Sequence, residues 1–326
     1  MLQFILRRVV VLIPTIFFIA LISFVIIQLP PGDYVSTVEA QLLRETGEVS
    51  QAELAALRAR YGLDRPMIVR FFIWFSRVLQ GDFGRSFQLG KPVSEVIGER
   101  LGLTVLISFL STMFAWAIAF PIGVYSAVKQ HSLGDGIATV IGYIGLAVPN
   151  FMLALMIMYV AVTQFGQSVG GLFSPQFIDA PWSFAKFVDM VNHLWIPMIV
   201  IGTAGTAGLI RVLRNNLLDE LNRPYVTTAR AKGYKEVALI FKFPVRLALI
   251  PFISTVGWML PAMVSGETIV AIVLNLPTVG PVLLGALRAQ DYYLAGAFIM
   301  FLAILTVIGT LISDILLAIT DPRIRY

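Results

Sequence analysis

Six apolar stretches constrain this chain more than anything else in it: Val9 to Leu29, Leu103 to Val128, Ile137 to Gln164, Leu194 to Ile210, Leu247 to Leu274 and Ala295 to Ile319. A helix needs about 20 apolar residues to cross a bilayer. The fourth stretch is short for that, and the third and fifth are long enough to tilt or protrude. Inside hydrocarbon no water can satisfy backbone N–H and C=O groups, so each crossing must be a helix that satisfies its own. Only 13% of the residues are charged and mean hydropathy is +0.84, whereas a soluble domain carries about a quarter charged residues. The expectation is an all-α polytopic membrane protein with six transmembrane helices. The first stretch follows Arg7-Arg8 and runs into Gln28-Leu29-Pro30-Pro31 with no small-residue cleavage pattern, so it reads as a retained helix and not a removed signal.

Whole classes of chemistry drop out on composition. There is no cysteine, which excludes disulfides and thiolate metal sites, and His131 and His193 are too few and too separated for a zinc site. The net charge of +5 reads as cationic loops facing anionic lipid and not as a nucleic-acid footprint. With the N-terminus inside, the inner segments 1–8, 128–136, 211–246 and 320–326 hold 13 of the 24 Lys and Arg, while the short outer loops hold only Lys186 and Arg288. The long segment after the first helix carries nine more, but loops of that length cross regardless of charge. Both termini are therefore expected on the cytoplasmic side.

The chain divides on this reading into an N-terminal segment with its first helix (1–29), an extracytoplasmic helical insertion (30–102), and a core of five further helices (103–326) containing a cytoplasmic loop (211–246). In the insertion, Ser50-Gln51-Ala52-Glu53 has a capping-box pattern, and Leu54, Leu57 and Tyr61 follow at helical spacing; these predict a helix from about 51 to 61, stopped at Gly62. A second helix from Pro66 places Ile68, Phe71, Phe72, Phe75 and Leu79 on one side. That stripe reads as core, as a cover resting on lipid, or as a surface that receives a partner. Trp182 and Trp195, in and after the Gly-, Ser- and Pro-rich segment 165–193, suit the membrane interface.

The loop 211–246 is the most informative stretch, with eight Lys and Arg against three acids. Pro224 is tolerated in a first helical turn and Gly233 can take the left-handed conformation that ends the helix. A second helix, Lys235 to Lys242, leads through Pro244 and Pro251 back into the bilayer. Thr228, Ala229 and Ala231 are small enough for a partner to approach the backbone, and Arg230, Lys232 and Lys235 are placed to meet carboxylates or phosphates. A basic inner loop is also what plain membrane topology produces.

Here the chain resembles a known family. Tyr225 to Gly233, followed by Ala248-Leu249-Ile250-Pro251, is similar to the coupling loop of ABC importer permeases of the dipeptide/oligopeptide class. The resemblance extends over nearly the whole chain: Leu6-Arg7-Arg8 with Leu12-Ile13-Pro14-Thr15, Leu29-Pro30-Pro31-Gly32-Asp33, Tyr61-Gly62-Leu63-Asp64-Arg65-Pro66, Gly81 to Phe87, Pro149-Asn150-Phe151, Gly266-Glu267-Thr268, Asp291-Tyr292, and Asp321-Pro322-Arg323-Ile324-Arg325. It implies the type I ABC importer permease fold, with Tyr225, Thr228, Ala229, Arg230, Ala231, Lys232 and Gly233 seated on an ATPase subunit. It also implies a second homologous permease subunit, two ATP-binding subunits or domains, an extracytoplasmic substrate-binding protein, and a bacterial or archaeal cytoplasmic (inner) membrane. The broader pattern has an acid and two alanines where this chain has Thr227, Thr228 and Ala229, so no acid-mediated contact carries over, and Pro251 comes later than in the broad pattern. Ser36 to Glu53 and Gly170 to Pro175 resemble an oligosaccharide-uptake subset of the class, which leaves peptide and oligosaccharide both open as solutes.

The chain has no phosphate-binding loop: Gly90-Lys91 is followed by Pro92 and lacks the upstream glycine. No nucleophilic triad is visible either, so the chain is expected to be no enzyme and to bind no cofactor, with ATP and magnesium on partner subunits. Candidate pathway or gate residues are Gly202, Gly205, Gly208 and Glu267. The glycines serve equally well for close helix packing, and an intramembrane acid must face protein or water. Asp314 reads as structural. An ion-coupled secondary transporter is the rival class, although only Glu267 and Asp314 offer coupling sites and no internal repeat is evident. An intramembrane enzyme fits less, because both histidines lie outside the apolar stretches.

Overall fold

The computed structural model describes residues 2–46, 50–166, 170–255 and 268–320. Among them the chain is helical apart from turns, one 3-10 turn at Pro175–Phe177 and one isolated bridge between Arg85 and Pro92. It divides into two compact units, one built from Leu6–Leu103 and Thr278–Leu305, the other from Thr104–Pro277 with the two chain ends.

The first unit contains α1 (Leu2–Gln28), α2 (Tyr34–Thr46), α3 (Gln51–Tyr61), α4 (Met67–Leu79), the start of α5 (Val93–Val128), α13 (Val279–Arg288) and the start of α14 (Tyr292–Thr320). The boundaries of α3 follow local chemistry. The Ser50 hydroxyl accepts from the Glu53 N–H, and Gly62 closes the helix at φ 67°, its N–H donating to Ala59 and Arg58 carbonyls. The core is aromatic: Phe24 stacks on Trp74 with centroids 5.7 Å apart, Phe71 meets Phe24 edge-on at 5.4 Å, and Phe87 meets Tyr292 at 5.1 Å. Gly296 admits Trp74, whose ring lies 3.1 Å from where a Cβ would stand.

Helix α4 corrects the expected stripe. Its buried residues are Phe71, Trp74 and Val78, whereas Ile68, Phe72 and Leu79 are exposed at 55%, 55% and 74%. The sequence supplies apolar residues around most of this helix, so periodicity alone could not say which edge the core would take. One buried carboxylate ties the unit together. Asp291 accepts from the Leu294 N–H at 3.2 Å and so caps α14, and it accepts from the Ser86 hydroxyl at 2.6 Å and the Gln88 N–H at 3.1 Å. The segments Gly81 to Phe87 and Asp291-Tyr292, 205 residues apart at the Ser86–Asp291 bond, meet there.

The second unit is organised on α8 (Phe184–Leu221), against which α6 (Leu133–Ala147), α7 (Asn150–Phe165) and α11 (Pro244–Ser254) pack. It also holds α9 (Pro224–Ala231), α10 (Glu236–Lys242) and α12 (Thr268–Val273). Among the described residues, four helical runs are apolar and long enough to cross a membrane: Val93–Val128, Phe184–Thr203, Glu236–Ser254 and Tyr292–Leu317, or five if a bent pair counts as one. That pair is the expected third span. It is two helices, Leu133–Ala147 and Asn150–Gln164, meeting at 100°. Pro149 has no N–H to give the ladder and pushes Val148 to an extended ψ of 119°. At 1.5 Å per residue each arm is about 24 Å or less, short of a ~30 Å hydrocarbon core.

The other expected spans differ mainly at their ends. The second begins at Val93 inside α5, and the fourth is the centre of a 38-residue helix that continues to Leu221. Hydropathy marks where a helix leaves apolar surroundings, not where it unwinds. The fifth begins with Pro244, and residues 256–267 lie outside the described residues.

Candidate functional site

The loop expected after the fourth span is a bracket of two short helices. Arg223 precedes α9, Pro224 occupies its first turn, and Gly233 closes it at φ 81°. A Cβ at Gly233 would meet nothing within 4 Å, so glycine is required there by backbone conformation and not by space. Lys235 begins α10, and Phe243 turns the chain into α11 at Pro244. Val226, Leu239, Val245 and Ala248 are all 3% exposed or less, which fixes the inner edge of the bracket in the unit. Tyr234 meets Phe243 edge-on at 5.6 Å, with the Lys242 ammonium 5.1 Å from the Tyr234 ring.

Each coupling candidate has a distinct place. Tyr225 donates its hydroxyl to Glu220 Oε2 at 2.6 Å, and burial together with that carboxylate raises the phenol above its ordinary range. Thr228 is exposed and donates to the Pro224 carbonyl at 3.0 Å. Ala229 points inward at 8% exposure, so of the three small residues only Thr228 and Ala231 present their size outward. Arg230 forms a two-point pair with Glu236, at 2.6 and 3.1 Å, across the glycine turn. Its guanidinium is thus engaged within the bracket, and it holds the exposed Glu236 carboxyl below its usual range. Lys232 and Lys235 are exposed and form no ion pair among the described residues. Beside them Val237 is 71% and Phe241 51% exposed, one turn apart on α10. The sequence reading missed this apolar edge, although Val237 and Phe241 carry the i, i+4 spacing that reveals it.

A largely buried ion pair joins α6 to α8, the helix that leads into the bracket. Asp135, 4% exposed in the first turn of α6, accepts from Arg214 Nε and Nη2, each at 2.9 Å, and from the His131 N–H at 3.0 Å. Arg214 lies on α8 two turns before that helix ends. Sequence reasoning overlooked the pair; the signal was Ser132-x-x-Asp135, a cap that the structure forms, with the Asp135 N–H donating to the Ser132 hydroxyl.

The pathway candidates separate from one another. At Gly202 a Cβ would stand 2.6 Å from the Phe114 ring and 3.0 Å from the Ser111 carbonyl, so this glycine lets α8 press on α5. Gly205 is partly buried, and Gly208 has open space around it. Thr203 and Thr206 return their hydroxyls to their own helix, at the Ile199 and Gly202 carbonyls. Glu267 lies outside the described residues. Farther along the unit, Lys186 is buried and donates to the Ile178 and Ala180 carbonyls, its ammonium 4.8 Å from the Phe173 ring and 5.5 Å from that of Trp182. No group of three or more metal-ligating side chains occurs among the described residues.

The chain matches two families by sequence. Residues 119–326 match the binding-protein-dependent transport system inner membrane component, and residues 1–108 match the N-terminal part of such membrane components. It is 38% identical over 328 residues to the oligopeptide transport system permease protein AppB of Bacillus subtilis, covering all of both chains. It is 32% identical to the dipeptide transport system permease protein DppB of Escherichia coli, covering all of this chain and 99% of the relative. To the glutathione transport system permease protein GsiC of Salmonella choleraesuis it is 30% identical, over the full length of both.

Proposed function

Because this chain belongs to the family of binding-protein-dependent transport system inner membrane components, we propose that it is the permease subunit of an ATP-driven peptide importer, forming half of a translocation pathway. It crosses the cytoplasmic membrane six times with both termini inside, and pairs with a second homologous permease. Two ATP-binding subunits and an outer substrate-binding protein complete the assembly. The observation that carries the reading is the bracket Pro224 to Lys242: it is anchored inward by buried aliphatic residues, and outward it offers Thr228, Ala231, Lys232, Lys235, Val237 and Phe241, which nothing among the described residues covers. A chain without its own phosphate-binding loop needs such a surface to receive work from an ATPase.

Seated on that partner, the bracket moves as one piece, because buried Val226, Ala229, Leu239 and Ile240 anchor both helices and the Gly233 turn joins them, with the exposed Arg230–Glu236 pair adding little. Its displacement passes to α8 at Leu221 and to α11 at Pro244, which carry it toward the apolar core. The Asp135–Arg214 pair hands the same motion to α6. Alternating exposure of a path between two permeases follows. Peptide is favoured over oligosaccharide as the solute because the relatives are named for oligopeptide, dipeptide and glutathione transport.

The test is reconstitution. The chain, solubilised with its neighbours, is expected to retain an ATP-hydrolysing subunit, and vesicles bearing the complex are expected to accumulate labelled short peptides only with ATP and an outer receptor. Transport by this chain alone on an ion gradient would overturn the reading in favour of a secondary transporter.

A further inference from the structure

Within the first unit, the ends of α3 and α4 and the loop after α4 border two adjoining cavities that open to solvent. The larger, about 610 Å³, is lined by Arg60, Arg77 and Arg85 together with Tyr61 and Tyr293. The smaller, about 170 Å³, shares Arg60 and Arg77 and adds Arg65 and Arg70. Five guanidinium groups thus border one concave region. The acid among the lining residues, Asp82, already accepts from the Gly84 N–H at 2.9 Å.

Arg58 on the same α3 pairs with Asp33, Arg214 with Asp135, and Arg230 with Glu236. Arg60, Arg65, Arg70, Arg77 and Arg85 have no carboxylate partner among the described residues; Arg85 reaches the Gly90 carbonyl at 2.5 Å, and Arg70 lies 5.8 Å from the Tyr292 ring. The Arg70 Nε is buried with no hydrogen-bond partner. A buried donor left unmade is costly; Arg60, Arg65, Arg77 and Arg85 are exposed, so solvent screens their mutual repulsion, and the buried Arg70 Nε is the stronger observation.

We propose that these paired cavities bind a small soluble oxyanion, a carboxylate or phosphate group, held between Arg60 and Arg77, which line both. The volume is that of a small-molecule site, and guanidinium forks match both anions in geometry. Helix α4 decides between a soluble anion and a lipid headgroup. At 100° per residue, Arg70, Ile73 and Arg77 lie on the opposite side of α4 from the exposed apolar edge Ile68, Phe72 and Leu79. A bilayer wetting that edge is therefore about 10 Å, one helix diameter, from the arginines. The ligand comes from water. This assignment is independent of the transport reading, and its test needs neither ATPase nor uptake.

The full-length chain in discs of zwitterionic phospholipid is titrated calorimetrically with inorganic phosphate and, separately, with succinate. Saturable binding of either anion that weakens as salt is raised is the expected result. Arg60→Gln with Arg77→Gln should weaken it roughly tenfold or more, whereas Arg44→Gln with Arg288→Gln, the same charge change outside the cavities, should leave it intact. If the double Gln variant does not fold, Arg60→Lys with Arg77→Lys keeps the charge and loses the fork, and a several-fold loss is expected there. Which anion binds separates the phosphate from the carboxylate source. Absence of saturable binding, unchanged affinity in these variants, or binding seen only with anionic phospholipid in the discs would overturn the proposal.

Discussion

Gly233 offers the sharpest lever on the bracket. Its φ of 81° lies where a side chain is strained, yet the position a Cβ would take is empty. The Cβ of Gly233→Val therefore meets no neighbour, and the main cost is in the backbone, about 1–3 kcal/mol for a non-glycine residue held in this region and worst for a β-branched one. Gly233→Asn is the matched control, because Asn visits this region more readily. The two variants should differ by about 1–2 kcal/mol, or roughly 5- to 30-fold in the population of the native turn. Rotating α10 away from α9 relieves that strain, and it separates Arg230 from Glu236. Expression and the melting temperature of the chain should hold in both variants, since the buried inner edge of the bracket is untouched. In reconstituted vesicles, ATP-driven uptake by Gly233→Val is expected to fall about tenfold while ATP hydrolysis continues, with Gly233→Asn near normal. Equal uptake by both, or loss of assembly in Gly233→Val, would refute a rigid bracket that transmits force.

Three further outcomes are expected. Asp135→Ala strands a guanidinium that is mostly buried; losing half of such a pair costs about 3–5 kcal/mol when fully buried, and Arg214 is 23% exposed, so about 2–4 kcal/mol is expected by thermal unfolding, largely recovered by Asp135→Leu with Arg214→Met. Gly202→Val meets both a ring and a backbone carbonyl and should destabilise by about 1–3 kcal/mol or more, whereas Gly208→Ala, in open space, should be neutral or slightly stabilising in the same melt. Burial raises the Asp291 carboxyl above the ordinary carboxylate range against the pull of its donors; a folded value above the unfolded one contributes stability at low pH that is lost as pH rises through the folded value. Melting temperature should thus decline as pH rises above about 4, and Asp291→Asn should flatten that slope.

The parts of the chain that were legible in sequence were those set by local chemistry. Ser50, Glu53 and Gly62 fixed α3, and Pro224 and Gly233 fixed α9, because caps and turns act over three or four residues. Helix ends beyond the apolar runs were not legible: nothing between Ile210 and Leu221 breaks a helix, so α8 runs on past the expected boundary. The bend at Pro149 sat inside an unbroken apolar run, where composition is blind to direction. The inward turn of Ala229, the Arg230–Glu236 pair and the burial of Phe71 and Trp74 depend on what faces each residue across space. Asp291 was noted as part of a motif, but its role as a joint to Ser86 needed the fold.

That joint has a consequence for biosynthesis. A ribosome adding about 5–20 residues per second needs roughly 10 to 40 s to travel the 205 residues from Ser86 to Asp291. Throughout that interval Phe24 and Phe87 lack the ring of Tyr292 that later packs edge-on against both. A ribosome stalled before Asp291 therefore leaves the Ser86 hydroxyl without its carboxylate and the Phe24 and Phe87 rings without Tyr292.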